Sequence, residues 1–183
     1  QILKYLTSTI SRGLLYESGQ DLLRRFKKSH LNVTPFEEAF APDMICGYTD
    51  ASFAKSGEVS IGAFVICHAG APVSWKCSKQ TLVSTSTCES EMQAAQEGFV
   101  GSLNVHTLLK EMTGQDLKII LAIDNMAAVL LLSTQGATSW RTRHLRIRAL
   151  SIVQAKEMGI IDVRHIPGDI ELADLLTKAL GAP

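Results

Sequence analysis

The sequence predicts an α/β protein, one mixed sheet covered by helices, and three observations predict it. Residues 44–78 carry three apolar runs separated by turn signals, the pattern of an antiparallel meander. The stretch Ser84-Thr85-Ser86-Thr87 then opens a helical pattern that runs to Met112 and ends at Thr113-Gly114. Residues 117–123 are nearly all aliphatic, as expected of a strand buried on both faces, and helical patterns and one more strand follow. The order is β-β-β-α-β-α-α-β-α, without repeats or low-complexity segments.

Composition bounds the alternatives. The chain has 183 residues, 46% apolar and 20% charged, which suits one ordinary core and excludes disorder. Lys plus Arg equals Asp plus Glu at 18 each, so no net charge marks a polyanionic partner, and a nucleic-acid surface must come from local clustering. Cys46, Cys67, Cys77 and Cys88 form no CxxC pair and are expected to be reduced, packed thiols. No apolar run approaches the ~20 residues of a membrane span. The amino end lacks a signal-peptide core, so the expectation is an intracellular chain. Its start at Gln1, in mid-pattern and without Met, suggests a fragment of something longer.

Taken in order, residues 2–16 place Ile2, Leu3, Leu6, Ile10, Leu14 and Leu15 at helical spacing. Residues 22–40 mix Arg24, Arg25, Lys27, Lys28 and His30 with few positions that look buried, so residues 1–42 read as an appendage to a domain spanning 43–183. Strands are expected at 44–50, 60–67 and 73–78, and the long helix at 89–112. The strand at 117–123 is followed by helices at 125–133 and 141–158, then by a strand at 160–166. Pro167-Gly168-Asp169 opens a last helix reaching residue 180.

Four carboxylates stand out against this frame. By alternation Asp50 points where Met44, Cys46 and Tyr48 point, and an ionised acid on a packed face needs a partner. Helical spacing sets Glu91 in line with Ala95, Gly98, Phe99 and Leu103, facing inward. Glu89 aligns with Gln93, Gln96 and Glu97, a solvated face. Asp124 ends the aliphatic strand, where α/β proteins commonly place their sites, although an N-cap for the following helix would explain it alone. Asp174, in the last helix, would be explained alone by an exposed pair with Lys178. Brought together by one sheet, four hard oxygen donors suit Mg²⁺ or Mn²⁺, and two such ions can drive phosphoryl transfer without a nucleophilic side chain.

Several short pieces in a fixed order resemble the ribonuclease H domain of copia-type LTR retrotransposon reverse transcriptases. They are Gly47-Tyr48-Thr49-Asp50-Ala51-Ser52, Ser74-Trp75-Lys76, the Glu-x-Glu of residues 84–94, Asp124-Asn125, Arg141-Thr142-Arg143-His144 and Ala173-Asp174-Leu175-Leu176-Thr177-Lys178. The resemblance implies a ribonuclease H-like fold, with three antiparallel and then two parallel strands flanked by helices. It implies that Asp50, Glu91, Asp124 and Asp174 hold two Mg²⁺ ions, with Mn²⁺ able to substitute. It further implies endonucleolytic cleavage of the RNA strand of an RNA/DNA hybrid, leaving a 3′-hydroxyl and a 5′-phosphate, beside the polymerase region of the same polyprotein in cytoplasmic retrotransposon particles. Residues 2–16 resemble the tail of that polymerase region. His165 falls near a mobile histidine of cellular members that helps product release, while its alternation with Ile161 and Val163 favours a core or strand-end histidine.

For substrate, Arg141, His144 and Arg148 share a helical face close to Arg143, the best phosphate surface of a neutral chain. Thr85, Ser86 and Thr87 offer hydroxyls and amides at a helix start. Ser52 and Asn125 are candidates for 2′-hydroxyl contacts by resemblance. A substrate-holding connection module without activity and an integrase-like DNA nuclease are the rival readings. The presence of all four acids favours the enzyme over the first, and preference for hybrid over duplex DNA separates it from the second.

Overall fold

The computed structural model describes residues 16–29, 36–54, 58–133 and 143–178. Strands β1 (Met44–Ser52), β2 (Ile61–His68), β3 (Ala71–Lys79), β4 (Lys118–Ile123) and β5 (Ile161–His165) form one sheet in the order β3-β2-β1-β4-β5. β1, β2 and β3 pair antiparallel, while β4 runs parallel to β1 and β5 parallel to β4. This is the mixed sheet that the sequence predicts. The helices are α1 (Gly19–Ser29), α2 (Thr87–Thr113), α3 (Met126–Leu131), α4 (Arg143–Glu157) and α5 (Asp174–Thr177), with 3-10 turns at Glu37–Phe40 and Gly168–Ile170.

Local chemistry sets the connections. β2 and β3 are joined by Ala69 and Gly70, both at positive φ (49° and 80°), the two-residue turn whose twist matches that of the strands it joins. A parallel partner for β1 requires a crossover, and α2 supplies it. Ser86 caps α2 by accepting from the Glu89 amide at 3.2 Å, and Gly114, at φ 71°, ends it. The helix lies close on the sheet because Gly98 has no side chain there: a Cβ would fall 2.3 Å from Cγ2 of Thr49 on β1.

Both faces of the sheet are covered, as the apolar character of β1 and β4 requires. On one face Ile45, Phe64, Ile66, Leu121 and Ile123 pack with Met92, Ala95 and Phe99 of α2 and with Ala149 and Ile152 of α4. On the other, Cys46, Tyr48, Val65 and Cys67 meet Ala39, Ile166, Ile170 and Ala173, with Phe26, Phe36 and Phe40 packed around them. Among the described residues no helix is long and apolar enough to cross a membrane.

Three expectations need correction. The last helix does not run from residue 168 to 180. Within the described residues it is a 3-10 turn, an extended Glu171 and the four-residue α5, because the Glu171 carboxylate takes the Ala173 amide (2.9 Å) and buried Ile170 and Ala173 hold the chain against the sheet. The helix after β4 begins at Met126, with Asn125 outside it as the N-cap. Cys46 and Cys67 are buried free thiols as expected, but Cys77 sits exposed on the edge strand β3, where no further strand covers it. The helix expected over residues 2–16 lies outside the described residues, apart from Tyr16.

Candidate active site at the carboxyl ends of two parallel strands

The register of the sheet builds the site. Thr49 of β1 is the ladder partner of Ile123 of β4, so the next residue on each strand, Asp50 and Asp124, leaves the ladder beside the other. Thr49 faces α2, whereas Asp50 shares the pleat face of Cys46 and Tyr48 and points away from that helix. Glu91 arrives from the opposite side, near the start of α2. Asp50, Glu91 and Asp124 each offer a carboxylate oxygen within 4.8 Å of the others. Asp50 and Glu91 are buried and Asp124 is half-buried.

Asp174 is near this trio without belonging to it. It begins α5 and pairs with Lys178, Nζ to Oδ1 at 2.5 Å. That is the i, i+4 pair expected of an ordinary helix acid, and yet the charge of Asp174 still acts on Glu91 and Asp124. The alternative explanation of Asp124 as a helix cap does not hold. Asn125 is the cap, its Oδ1 accepting from the Ala128 amide at 3.0 Å, and Asp124 is left to the pocket.

Electrostatics define what the pocket requires. Burial, reinforced by Asp50 and Asp124, pushes the Glu91 carboxyl from 4.5 to about 9, against a favourable backbone hydrogen bond at Ala51. Burial and the charges of Asp50 and Asp174 also raise Asp124, while Lys178 and His165 oppose them. Glu91 Oε2 is buried without a partner. Three clustered hard oxygens, one of them unpaired, must take up either protons or a cation, and the donor set fits Mg²⁺ or Mn²⁺.

The other predicted positions fall around this centre. Ser52 is exposed at the end of β1. Ser86 is the α2 cap, and Thr85 and Thr87 beside it are exposed. The Asn125 side chain spends its oxygen on capping, which leaves its amide as a donor. His165 is exposed at the end of β5 with Nε2 2.9 Å from the Asp124 carbonyl oxygen, a strand-end position on the rim of the pocket. Arg141 lies outside the described residues. Arg143 and His144 open α4, but their side chains, like that of Arg148, are outside them too.

Glu89 does not lie on a solvated face. It is buried, with Oε2 accepting from the Thr85 amide and hydroxyl, both at 2.8 Å. Helical-face reasoning misplaces it because Glu89 stands in the first turn, where an acid folds back to the helix start. The spacing Ser86-x-x-Glu89 is the signal that could have found this. Two more groups are missed by sequence reasoning. Glu171 is buried, with Oε2 unpartnered and its pKa pushed up by burial, and an acid between Ile170 and Leu172 is the same signal that exposed Asp50. Thr177, from α5, donates its hydroxyl to Asp50 Oδ2, and nothing in the pattern of a short helix marks it.

A five-stranded mixed sheet in this order, with acids gathered at the ends of β1 and β4, is a ribonuclease H-like fold. No family model matches the chain. It is 25% identical over 183 residues to the retrovirus-related Pol polyprotein from transposon RE1 of Arabidopsis thaliana, a match that covers 98% of this chain and 11% of that protein. The chain therefore spans about a tenth of that relative's length. Among solved structures it is similar to the N-terminal RNase H domain of a Mycobacterium tuberculosis protein, with a TM-score of 0.56 and 12% identity over 73% of this chain and 90% of that one. It is also similar to a ribonuclease H1 isolated from compost and solved with an RNA/DNA hybrid, with a TM-score of 0.51 and 17% identity over 72% and 92%. The comparisons agree with the resemblance in the sequence, a ribonuclease H domain of the LTR retrotransposon type.

Proposed function

We propose that the chain hydrolyses the RNA strand of RNA/DNA hybrids with two divalent ions, removing template RNA during reverse transcription of a retrotransposon. The observation that carries this reading is the meeting of Asp50, Glu91 and Asp124 within 4.8 Å, from three elements distant in sequence. Asp50 and Glu91 would hold one ion, and Asp50, Asp124 and Asp174 the other. When bound, the pair would activate the attacking water and neutralise the leaving 3′-oxygen. The P–O3′ bond breaks as the water oxygen bonds to phosphorus, which leaves a 5′-phosphate and a 3′-hydroxyl.

The chain's own groups bind and orient the substrate. Exposed Thr87 meets a backbone phosphate near the start of α2, with Ser86 beside it as the cap, while the Thr85 hydroxyl is already given to Glu89 and would have to leave it to join them. The Asn125 amide, free to donate, and Ser52 contact 2′-hydroxyls, and Arg141, Arg143 and His144 bind backbone phosphates through their positive charge. Because groove shape rather than base identity is read, cleavage tolerates sequence. His165 lies against the Asp124 carbonyl at a strand end, and a part in product release would come to it only by the resemblance. Residues 1–42 form the tail of the polymerase region, and the chain works beside that region inside the element's particle. Supporting the partner is the compost ribonuclease H1, which was solved with a hybrid.

The test is cleavage of a labelled RNA/DNA hybrid in Mg²⁺. The wild-type chain is expected to cut RNA in the hybrid and to spare duplex DNA, and Asp124→Asn to lose nearly all of that activity. No cutting by the wild type, or undiminished cutting by D124N, would reject the reading.

A further inference from the structure

The geometry points to Thr177 as a positioning residue: its hydroxyl fixes the Asp50 carboxylate and ties the helix carrying Asp174 to the strand carrying Asp50. This rests on the reading of the four acids as a divalent-ion site. Asp50 is buried, and its carboxylate accepts a side-chain hydrogen bond from Thr177 Oγ1, 127 positions away. No cationic side chain pairs with Asp50 among the described residues; the nearest ion pair in the site joins Lys178 to Asp174.

The helix that delivers this hydroxyl cannot order itself. α5 has four residues and no side-chain cap, too short to persist on its own hydrogen bonds. Its tethers are apolar packing by buried Ala173 just before it and by Leu176, the Cys77 thiol donating to the Leu176 carbonyl at 3.1 Å, and Thr177 to Asp50. The packing and the thiol hold the helix against the sheet. Only Thr177 reaches an acid of the trio. Thr177 Oγ1 also lies 3.3 Å from the Asp174 carbonyl, but a hydroxyl has one proton, and the closer carboxylate takes it.

The choice of residue suits the task. A β-branched side chain is stiff at χ1, so the hydroxyl is held in place rather than sampled. With one face of Oδ2 engaged by Thr177, Oδ1 and the remaining lone pair of Oδ2 stay available to a cation. Without the bond Asp50 is free to rotate away from Glu91 and Asp124, and α5 is free to carry Asp174 out of range. The charge count of the pocket is unchanged, and its geometry is lost.

The experiment compares Thr177→Val, which keeps the shape and removes the hydroxyl, with Thr177→Ser, which keeps the hydroxyl. Mg²⁺ alone is titrated into the full chain by calorimetry, and kcat and KM are measured on a hybrid. T177V is expected to bind Mg²⁺ about tenfold more weakly and to lose kcat at unchanged KM, and T177S to stay within about threefold of wild type. Should T177V fail to fold, Thr177→Ala replaces it in the same comparison. Wild-type Mg²⁺ affinity in T177V, equal losses in T177V and T177S, or no Mg²⁺ binding by the wild type would each overturn the assignment. A wild type that binds Mg²⁺ without cutting hybrid would reject the nuclease reading and leave the Thr177 comparison intact.

Discussion

Replacing Glu91 with Gln should stabilise the metal-free protein while abolishing its activity. Burial and two neighbouring acids push the folded-state carboxyl to about 9, against 4.5 when solvated. The folded state then holds a proton that the unfolded chain releases. Stability due to the protonated acid is fully present below 4.5 and is lost as pH rises through about 9, so metal-free stability falls across that window. One proton corresponds to about 1.4 kcal/mol per pH unit, and about three units separate 4.5 from a working pH of about 7.5. The ceiling on the cost at that pH is therefore about 4 kcal/mol. A neutral amide avoids it, and about 2 kcal/mol remains even if the amide is half as well accommodated as the protonated acid. The assay is urea unfolding of wild type and E91Q in chelator from about pH 5 to about pH 9, repeated with saturating Mg²⁺. In chelator the wild-type curve should slope downward and that of E91Q should be nearly flat, and Mg²⁺ should flatten the wild-type curve by replacing the proton. A flat wild-type profile in chelator, or an E91Q less stable than wild type at pH 7.5, would refute the reasoning.

Other predictions follow from single contacts. Gly98→Ala places a methyl 2.3 Å from Thr49 Cγ2, so α2 must lift from β1. Thermal unfolding should show a loss of about 1–3 kcal/mol, and Mg²⁺ titration a weaker site because Glu91 moves with the helix. Ser86→Ala removes the α2 cap and should cost about 1 kcal/mol in urea unfolding, with Mg²⁺ affinity nearly unchanged. Asn125→Ser keeps a capping oxygen and removes the amide donor without adding charge beside Asp124, so stability should hold while KM for hybrid rises about tenfold.

The sheet was legible because its signals are local and agree: turns between alternating runs, a capped helix long enough to cross over, and an aliphatic strand needing cover on both faces. Asp50 was legible for the opposite reason, as one charge at odds with its run. Pairwise register was not, since nothing in either strand states that Thr49 meets Ile123, and that pairing is what sets Asp50 beside Asp124. The long helix was read as uniform, and so Glu89 was assigned to solvent when its place in the first turn sends it back to Thr85. The last helix was overestimated because a Pro-Gly-Asp opening is a start signal, while Glu171, buried and bonded to the backbone, breaks the helix by a contact that periodicity does not weigh. Thr177 carries no charge and interrupts no pattern, and its partner is 127 residues away.

The pocket also shows why these acids do not simply consolidate the fold. A helix that approaches β1 over a glycine brings Glu91 into a buried space already occupied by Asp50 and Asp124, and the electrostatic result is adverse to the metal-free protein. Sequence chosen for stability alone would replace Glu91 with an amide or an apolar residue. Its presence with Oε2 unpaired, where surface charges form ordinary exposed pairs such as Lys110 with Asp116, fits a pocket whose stable state includes something positively charged that none of the described side chains supplies. Lys178 forms its ion pair with Asp174 and acts on Asp50 and Asp124 only through its charge, without a salt bridge to any of the trio among the described residues. Among the described residues, Asp50, Glu91 and Asp124 thus meet without a cationic side chain bonded to them, and either protons or a divalent cation would relieve the cluster.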